Sequence, residues 1–352
     1  MEIIYTSSDI GLTVYFAYVS GEDIELAKAE VDTLLNQFPE IIGIHWQGRL
    51  ARITSSSNPS KYLLQRAALV QMAGTILYEC DQIENLTNSF SDDEWMRYIS
   101  SQDEFSVNTL CVDCNNDMTL RLQIEQVLGK HIKNVTSAKV NLKAPSIQIQ
   151  VFIFPEKFLV CKFALSQIRP LLRERNPGKK TFFHPSMMNS TLARVMCNLA
   201  GIKPGEVVLD PFCGGGGILC EASYIGAHVI GIDLSWKLLV GATRNLQEIN
   251  ENYSIIQGDS QYIPINNVDR IVTDPPYGRA SSTRGTKAVK LVESMLMNVD
   301  SILQTKGESC CFCVDNEMKI SQTIQDLGLT IGRSLKMRVH RGLVREIVTL
   351  KI

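Results

Sequence analysis

The sequence predicts an α/β protein: a Rossmann-like domain with a mostly parallel seven-stranded sheet and an antiparallel edge, preceded by an α+β region. Three observations carry the prediction. From His184 onward, short β-branched runs alternate with amphipathic helical runs, as in a parallel sheet covered by helices on both faces. The first of those strand runs ends in Leu209-Asp210-Pro211-Phe212-Cys213-Gly214-Gly215-Gly216-Gly217, an acid followed at once by a glycine-rich turn. The first hundred residues instead order their signals β-α-β-β-α-β, the ferredoxin-like arrangement.

Taken in order, 13–19 is β-branched and aromatic, and Ile24, Ala27, Val31, Leu34, Leu35 and Phe38 then recur at helical spacing. Segments 41–44 and 48–54 read as a hairpin. Asn58-Pro59 is a cap and a first-turn proline, opening a helix through about Ala73, with 75–80 as the last strand. Beyond residue 100, Leu120, Ile124, Val127 and Leu128 form one helix face stopped by Gly129. Ile147, Ile149 and Val151 alternate with Gln148 and Gln150 before a turn at Pro155-Glu156-Lys157 leads into 158–164. Arg169, Arg173, Arg175, Lys179 and Lys180, broken by Pro170 and Pro177-Gly178, mark a basic linker. The expected division is 1–100, 101–168, a linker 169–183, and 184–352.

In the last part the strands are 207–209, 228–232, 254–256, the run before Asp274, and 309–314. Helices 191–200, 217–224, 235–248 and 291–303 alternate with them. The tail 329–339 and 346–352, joined by His340-Arg341-Gly342, reads as the antiparallel edge.

Composition narrows the function classes. The chain has 352 residues, 45% hydrophobic and 20% charged, with a formal net charge of −2, so any nucleic-acid surface must be local. Ten cysteines follow no framework spacing, which points to reduced thiols and a cytoplasmic setting. Cys111-Val112-Asp113-Cys114 has the spacing of half a zinc site, and no second pair or nearby His doublet completes it, so two ordinary thiols are expected. No metal is expected. The N-terminus carries Glu2 and no signal peptide, and no apolar run is long enough to span a bilayer.

The glycine-rich turn departs from a phosphate site. Glycines let a ligand approach backbone amides at a helix N-terminus, yet Asp210 directly before them would repel a pyrophosphate and welcome an ammonium. The next strands end in Gly231-Ile232-Asp233, an acid placed for ribose hydroxyls, and in Gly258-Asp259-Ser260, a further acceptor. Acids in this series suit a ligand with an amine, a ribose and an adenine but no phosphate. S-adenosylmethionine is such a ligand. The residues read as its site are His184, Asp210, Phe212, Gly214, Gly216, Asp233, Asp259 and Ser260.

The fourth strand runs into Asp274-Pro275-Pro276-Tyr277-Gly278. Two prolines remove two donors and fix two φ angles, leaving a stiff turn with the Asp274 carboxylate and the Pro275 carbonyl as acceptors. With the Tyr277 ring alongside, it suits a planar group bearing an NH2: two acceptors take its hydrogens while the ring stacks on it. Arg279, Arg284 and Lys287 follow in a loop able to meet an anionic backbone, and Lys336, Arg338, Arg341 and Arg345 offer more charge in the tail. Cys310, Cys311 and Cys313 sit in an apolar strand and read as small core residues.

This motif series resembles that of class I amino-methyltransferases. Phe183-His184-Pro185-Ser186 and Val339-His340-Arg341-Gly342-Leu343-Val344-Arg345 further resemble the archaeal tRNA guanosine-10 methyltransferases, over nearly all of 184–352. The resemblance implies mono- and dimethylation of the guanosine 2-amino group in tRNA, and a ferredoxin-like subdomain (1–100) plus a THUMP RNA-binding module (101–168) ahead of the catalytic domain. It implies Asp274, Pro275, Pro276 and Tyr277 as catalytic residues. The chain is expected to be a monomeric catalytic chain, with a small zinc-binding activator protein as an optional partner known for some relatives. Three rivals are a DNA adenine methyltransferase, a protein glutamine methyltransferase, which carries Asn where Asp274 stands, and a non-catalytic RNA-binding scaffold.

Overall fold

A computed structural model describes residues 11–276, 288–304, 307–340 and 343–351. They divide into two compact units. The first runs to Ile24 and includes Leu35–Gln65 and Val70–Gln167; the second comprises Glu25–Leu34, Arg66–Leu69 and everything from Ile168.

The N-terminal elements are β1 (Thr13–Val19), α1 (Ile24–Leu35), β2 (Ile41–Gln47), β3 (Leu50–Ser55), α2 (Ser60–Arg66) and β4 (Val70–Cys80). They are followed by α3 (Asp92–Tyr98), β5 (Glu104–Cys111), α4 (Met118–Thr136), β6 (Lys139–Val140), β7 (Ile147–Ile153) and β8 (Phe158–Leu165). The strands form one eight-stranded sheet in the order β2-β3-β1-β4-β8-β7-β5-β6. Its first four strands have the ferredoxin-like order. No break separates them from the rest, because β4 pairs along its length with β8. Trp95 is fully buried, with ring centroids 5.0 Å from Phe90 and 6.1 Å from Tyr78.

Three details differ from expectation. α2 ends at Arg66, since Val70–Ala73 is drawn into the sheet opposite β1, with Tyr18 facing Met72 and Ala17 facing Ala73. Gly129 does not end α4, which continues until Ser137 takes the left-handed conformation at φ 60°. A buried Ile132 repays the weak position, as packing outweighs a glycine cost of about 1 kcal/mol. α3 was not anticipated, although its capping box at Ser91 and Glu94 is written in the sequence.

The close β4–β8 pairing yields a prediction. An ideal Cβ on Gly74 would sit 2.0 Å from the Lys162 carbonyl oxygen. Gly74→Ala should therefore destabilise the fold by roughly 1–3 kcal/mol or more and lower Tm in thermal unfolding; an unchanged Tm would mean the strands part freely there.

The second unit contains α5 (Ile168–Glu174), α6 (Ser190–Leu199), β9 (Val207–Asp210), α7 (Gly217–Ile225), β10 (His228–Asp233), α8 (Trp236–Gln247) and β11 (Tyr253–Gln257). Next come β12 (Arg270–Thr273), α9 (Ala288–Ile302), β13 (Glu308–Asp315), α10 (Ile320–Asp326), β14 (Thr330–His340) and β15 (Leu343–Lys351). The sheet order is β11-β10-β9-β12-β13-β15-β14, with β11 to β13 parallel and β15 antiparallel to both its neighbours. This is the doubly wound sheet with an antiparallel edge that the sequence predicts. Leu209, Ile271, Val292, Val299, Phe312 and Val348 lie in its core.

The expected linker is partly helical. Its Arg175 guanidinium stacks 3.6 Å from the Tyr224 ring centroid and 3.7 Å from the buried Glu221 carboxylate, so this charge is not simply solvated. The second unit also holds a buried polar knot. Asn198 receives Arg66 Nε at 2.7 Å and donates to Glu30 at 2.7 Å, and Glu30 accepts the Ala68 and Leu69 amides at 2.8 and 2.9 Å. Burial pushes the Glu30 carboxyl above its ordinary range.

Candidate active site

Parallel strands bring their carboxyl ends to one edge, and β11, β10, β9 and β12 are neighbours there. Asp233 closes β10, Asp210 closes β9, Asp274 follows β12, and Asp259 lies just beyond β11. The four acids expected to act together therefore share one crevice edge. By contrast Glu206 and Asp269, at the opposite edge, are spent on structure: Glu206 pairs with Arg270 at 2.8 Å and Asp269 accepts the Val207 amide at 2.8 Å.

The glycine-rich turn is shaped by its backbone. Gly214 (φ 50°) and Gly216 (φ 80°) occupy the left-handed region that other residues reach only with strain. A Cβ on Gly214 would meet nothing within 4 Å, so the open face beside it is a cradle that a side chain would fill. Asp233 fixes the turn: one carboxylate oxygen accepts the Gly214 amide at 3.0 Å and the other the Ser235 amide at 2.7 Å. Asp259 accepts the Gln261 amide at 3.0 Å, and Ser260 is buried. Phe212 is half-buried against the core of the sheet, and His184 Nδ1 lies 2.7 Å from the Ser186 hydroxyl.

Asp210 is only 2% exposed. Its Oδ1 accepts the Thr273 hydroxyl at 2.6 Å and the Phe212 amide at 3.1 Å. Burial pushes its carboxyl up to about 7, against those two hydrogen bonds and with help from the like charges of Asp274 and Asp233. A raised folded-state value means that this group's contribution to stability is complete below its ordinary value near 3.8 and is lost as pH rises through about 7. Asp210→Asn should flatten that descent and raise Tm above pH 7, measured by thermal unfolding across pH 5–9. An identical pH profile for both proteins would contradict it.

Asp274 and Pro276 are partly buried and Pro275 fully. The antiparallel β15 begins where the parallel strands end, which carries Arg345 back to this edge. Its Nη2 lies 3.7 Å from Asp274 Oδ2. Arg345, read from the sequence as a tail charge for an anionic backbone, thus faces the central acid. Tyr277, Arg279, Arg284, Lys287 and Arg341 lie outside the described residues.

Two further groups escaped the sequence reading. Thr273 looks like one more β-branched strand residue, and only the β9–β12 pairing shows its hydroxyl on Asp210. Asn245, in the last turn of α8, is a buried hub that bonds the amide and the carbonyl of Phe182 and the Gly215 carbonyl of the glycine-rich turn. No signal in the sequence marks it beyond being polar on an otherwise apolar helix face.

A sheet in this order, with a glycine-rich turn after its first strand and acids along one edge, is that of the Rossmann-like class I methyltransferases. A family model described as an RMKL-like methyltransferase domain matches residues 177–347, and one described as a DNA methylase matches 76–243. The tRNA (guanine(10)-N2)-dimethyltransferase of Methanothermobacter thermautotrophicus is 32% identical over 266 residues, covering 75% of this chain and 77% of that one. Its counterpart in Methanocaldococcus jannaschii is 29% identical over 364 residues, covering 95% and 98%. Among solved structures, TrmN from Thermus thermophilus shares the fold, with a TM-score of 0.56 at 18% identity over 96% of this chain and 99% of that one. The chain belongs to the tRNA (guanine(10)-N2)-dimethyltransferase family.

Proposed function

We propose that this chain methylates the exocyclic 2-amino group of guanosine 10 in tRNA, first to the mono- and then to the dimethyl form, with S-adenosylmethionine as donor. The observation that carries the reading is the position of the Asp274-Pro275-Pro276 turn, on the same sheet edge as the Gly214 cradle, Asp210 and Asp233. The match to the DNA methylase model stops at residue 243, ahead of that turn.

The residues present fit the donor. The open glycine turn takes close approach of a ligand, and the surrounding groups are acceptors suited to hydroxyls and an ammonium. When bound, S-adenosylmethionine supplies an electrophilic methyl group on a sulfonium. Asp233 would hold the ribose hydroxyls, Asp210 would face the ammonium, and Asp259 and Ser260 would border the adenine. His184 and Phe212 would close the sides. A cation beside Asp210 favours its ionised form, so donor affinity should rise by up to about tenfold per pH unit below pH 7 and level off above it.

A guanine amino nitrogen is a poor nucleophile because its lone pair is delocalised into the ring. Hydrogen bonds from its two hydrogens to the Asp274 carboxylate and the Pro275 carbonyl stabilise the pyramidal nitrogen more than the flat ground state. Asp274 accepts the proton released as the new bond forms. An ordinary carboxylate with a pKa of about 4 suffices, since the nitrogen becomes acidic only as the carbon arrives. Tyr277 clamps the base by stacking, worth roughly 1–3 kcal/mol. Turning the base out of its stack costs a few kcal/mol, offset by phosphate contacts from Arg279, Arg284, Lys287 and Arg341. The reading places the protein in the cytoplasm, where its ten free thiols would stay reduced.

The test is mass spectrometry of nucleosides from tRNA incubated with the chain and donor, using a transcript with guanosine 10 and one with adenosine there. Mono- and dimethylguanosine from the first alone supports the reading. Methyladenine in duplex DNA would replace it with the adenine-methyltransferase reading.

A further inference from the structure

We propose that Asn245 is a positioning residue of the methyl-donor site: it pins residues 182–188 across the glycine-rich turn, and this strap sets how tightly the donor is held. The inference rests on the reading of the Gly214–Gly216 turn as the donor site. Asn245 lies in α8 and is 2% exposed. Its Oδ1 accepts the Phe182 amide at 2.9 Å, while its Nδ2 donates to the Phe182 carbonyl at 3.1 Å and to the Gly215 carbonyl at 3.1 Å. Only this orientation of the amide satisfies all three groups; the flipped one would set its oxygen against two carbonyls. One side chain therefore fixes a peptide of the strap and a peptide of the turn at once.

Missing side chains make the space that the strap occupies. A Cβ on Gly241, one turn before Asn245 in α8, would lie 2.2 Å from the Phe182 ring. A Cβ on Gly215 would lie 2.7 Å from Met187 Sδ, and one on Gly217 would lie 3.2 Å from the Met188 carbonyl oxygen. The glycines at 215, 217 and 241 thus have a steric purpose distinct from that of Gly214, whose face is open. The strap folds on itself as it passes, with the Met187 amide bonded to the His184 carbonyl at 3.0 Å. Two glycines of the turn are in left-handed backbone, which costs glycine nothing but is only one of the many conformations open to it, so the turn is held in this shape by its surroundings. The Asn245 bond to the carbonyl between them is such a constraint. A turn held in advance costs the ligand no ordering, which is where affinity is gained.

Removing the pin leaves the Phe182 and Gly215 carbonyls and the Phe182 amide without this partner. The general cost of such orphaned groups corresponds to a loss of about tenfold or more. We expect Asn245→Ala and Asn245→Asp, in the full chain, to raise the KM for S-adenosylmethionine and the Kd for S-adenosylhomocysteine at least tenfold, while kcat at saturating donor and the KM for tRNA change far less. Phe182→Ala, at a partly buried ring, should reproduce the effect without touching a buried polar group, and it decides the matter if the Asn245 variants do not fold. The thermal shift on adding S-adenosylhomocysteine should shrink in each variant. A merely structural role would lower Tm but leave the Kd unchanged, and that result overturns the proposal. Failure of the unaltered chain to bind S-adenosylhomocysteine would instead overturn the reading of the turn itself, and the proposal with it.

Discussion

Asp274→Ala is expected to lower methyl transfer to tRNA by at least about 10³-fold while leaving the Kd for S-adenosylhomocysteine within a few fold. The carboxylate is asked to do two things: to orient the amine, and to accept its proton. Positioned acid–base groups alone contribute about 10²–10⁴-fold. The loss should appear in single-turnover transfer of labelled methyl groups, because the interaction exists fully only in the transition state. Asp274→Asn keeps an acceptor oxygen and its shape but loses the charge, so it should fall between Ala and the natural residue. If donor affinity collapses instead, the side chain belongs to the donor site, beside Asp210 and Asp233, whose charges share this edge.

Arg345→Met should lower kcat by about 10–100-fold, with Arg345→Lys recovering part of it. The cation stands 3.7 Å from Asp274 Oδ2, at a side chain only 19% exposed, so it can hold the carboxylate's rotation. Misplacing a reacting group by about 1 Å costs on the order of 10²-fold. Lys restores the charge but not the planar fork, hence partial recovery. The alternative is a phosphate contact, the role the tail charge has when read from the sequence alone. It predicts a raised KM for tRNA with a steep salt dependence and an unchanged kcat, and steady-state kinetics at two salt concentrations separates the two.

What was legible followed from local rules. Alternating strand and helix runs, punctuated by glycine and by acids at strand ends, foretold the seven strands of the second unit and where Asp210, Asp233, Asp259 and Asp274 would gather. The rule is topological: parallel strands all end on one edge, so a motif after each strand converges with the others whatever the details of packing. The β-α-β-β-α-β order over residues 13–80 was readable from the same alternation of local signals. Failures came where a long-range partner outweighs local preference. Val70–Ala73 would continue a helix by pattern but is a strand because β1 lies beside it, and Gly129 would end a helix by propensity but is carried through by Ile132.

By itself the sequence determined the sheet, the order of its acids and the stiff Asp-Pro-Pro turn, because each depends on residues adjacent in the chain. Only the tertiary structure decided that Thr273 bonds Asp210, that Arg345 returns to Asp274 from the far end of the chain, and that Asn245 clasps Phe182 to Gly215. It also decided that Glu30 and Arg66 belong to the second unit, where they share Asn198. Each of these joins residues tens to hundreds of positions apart, and a polar side chain carries no mark of its partner until burial strips its water and leaves one group within reach.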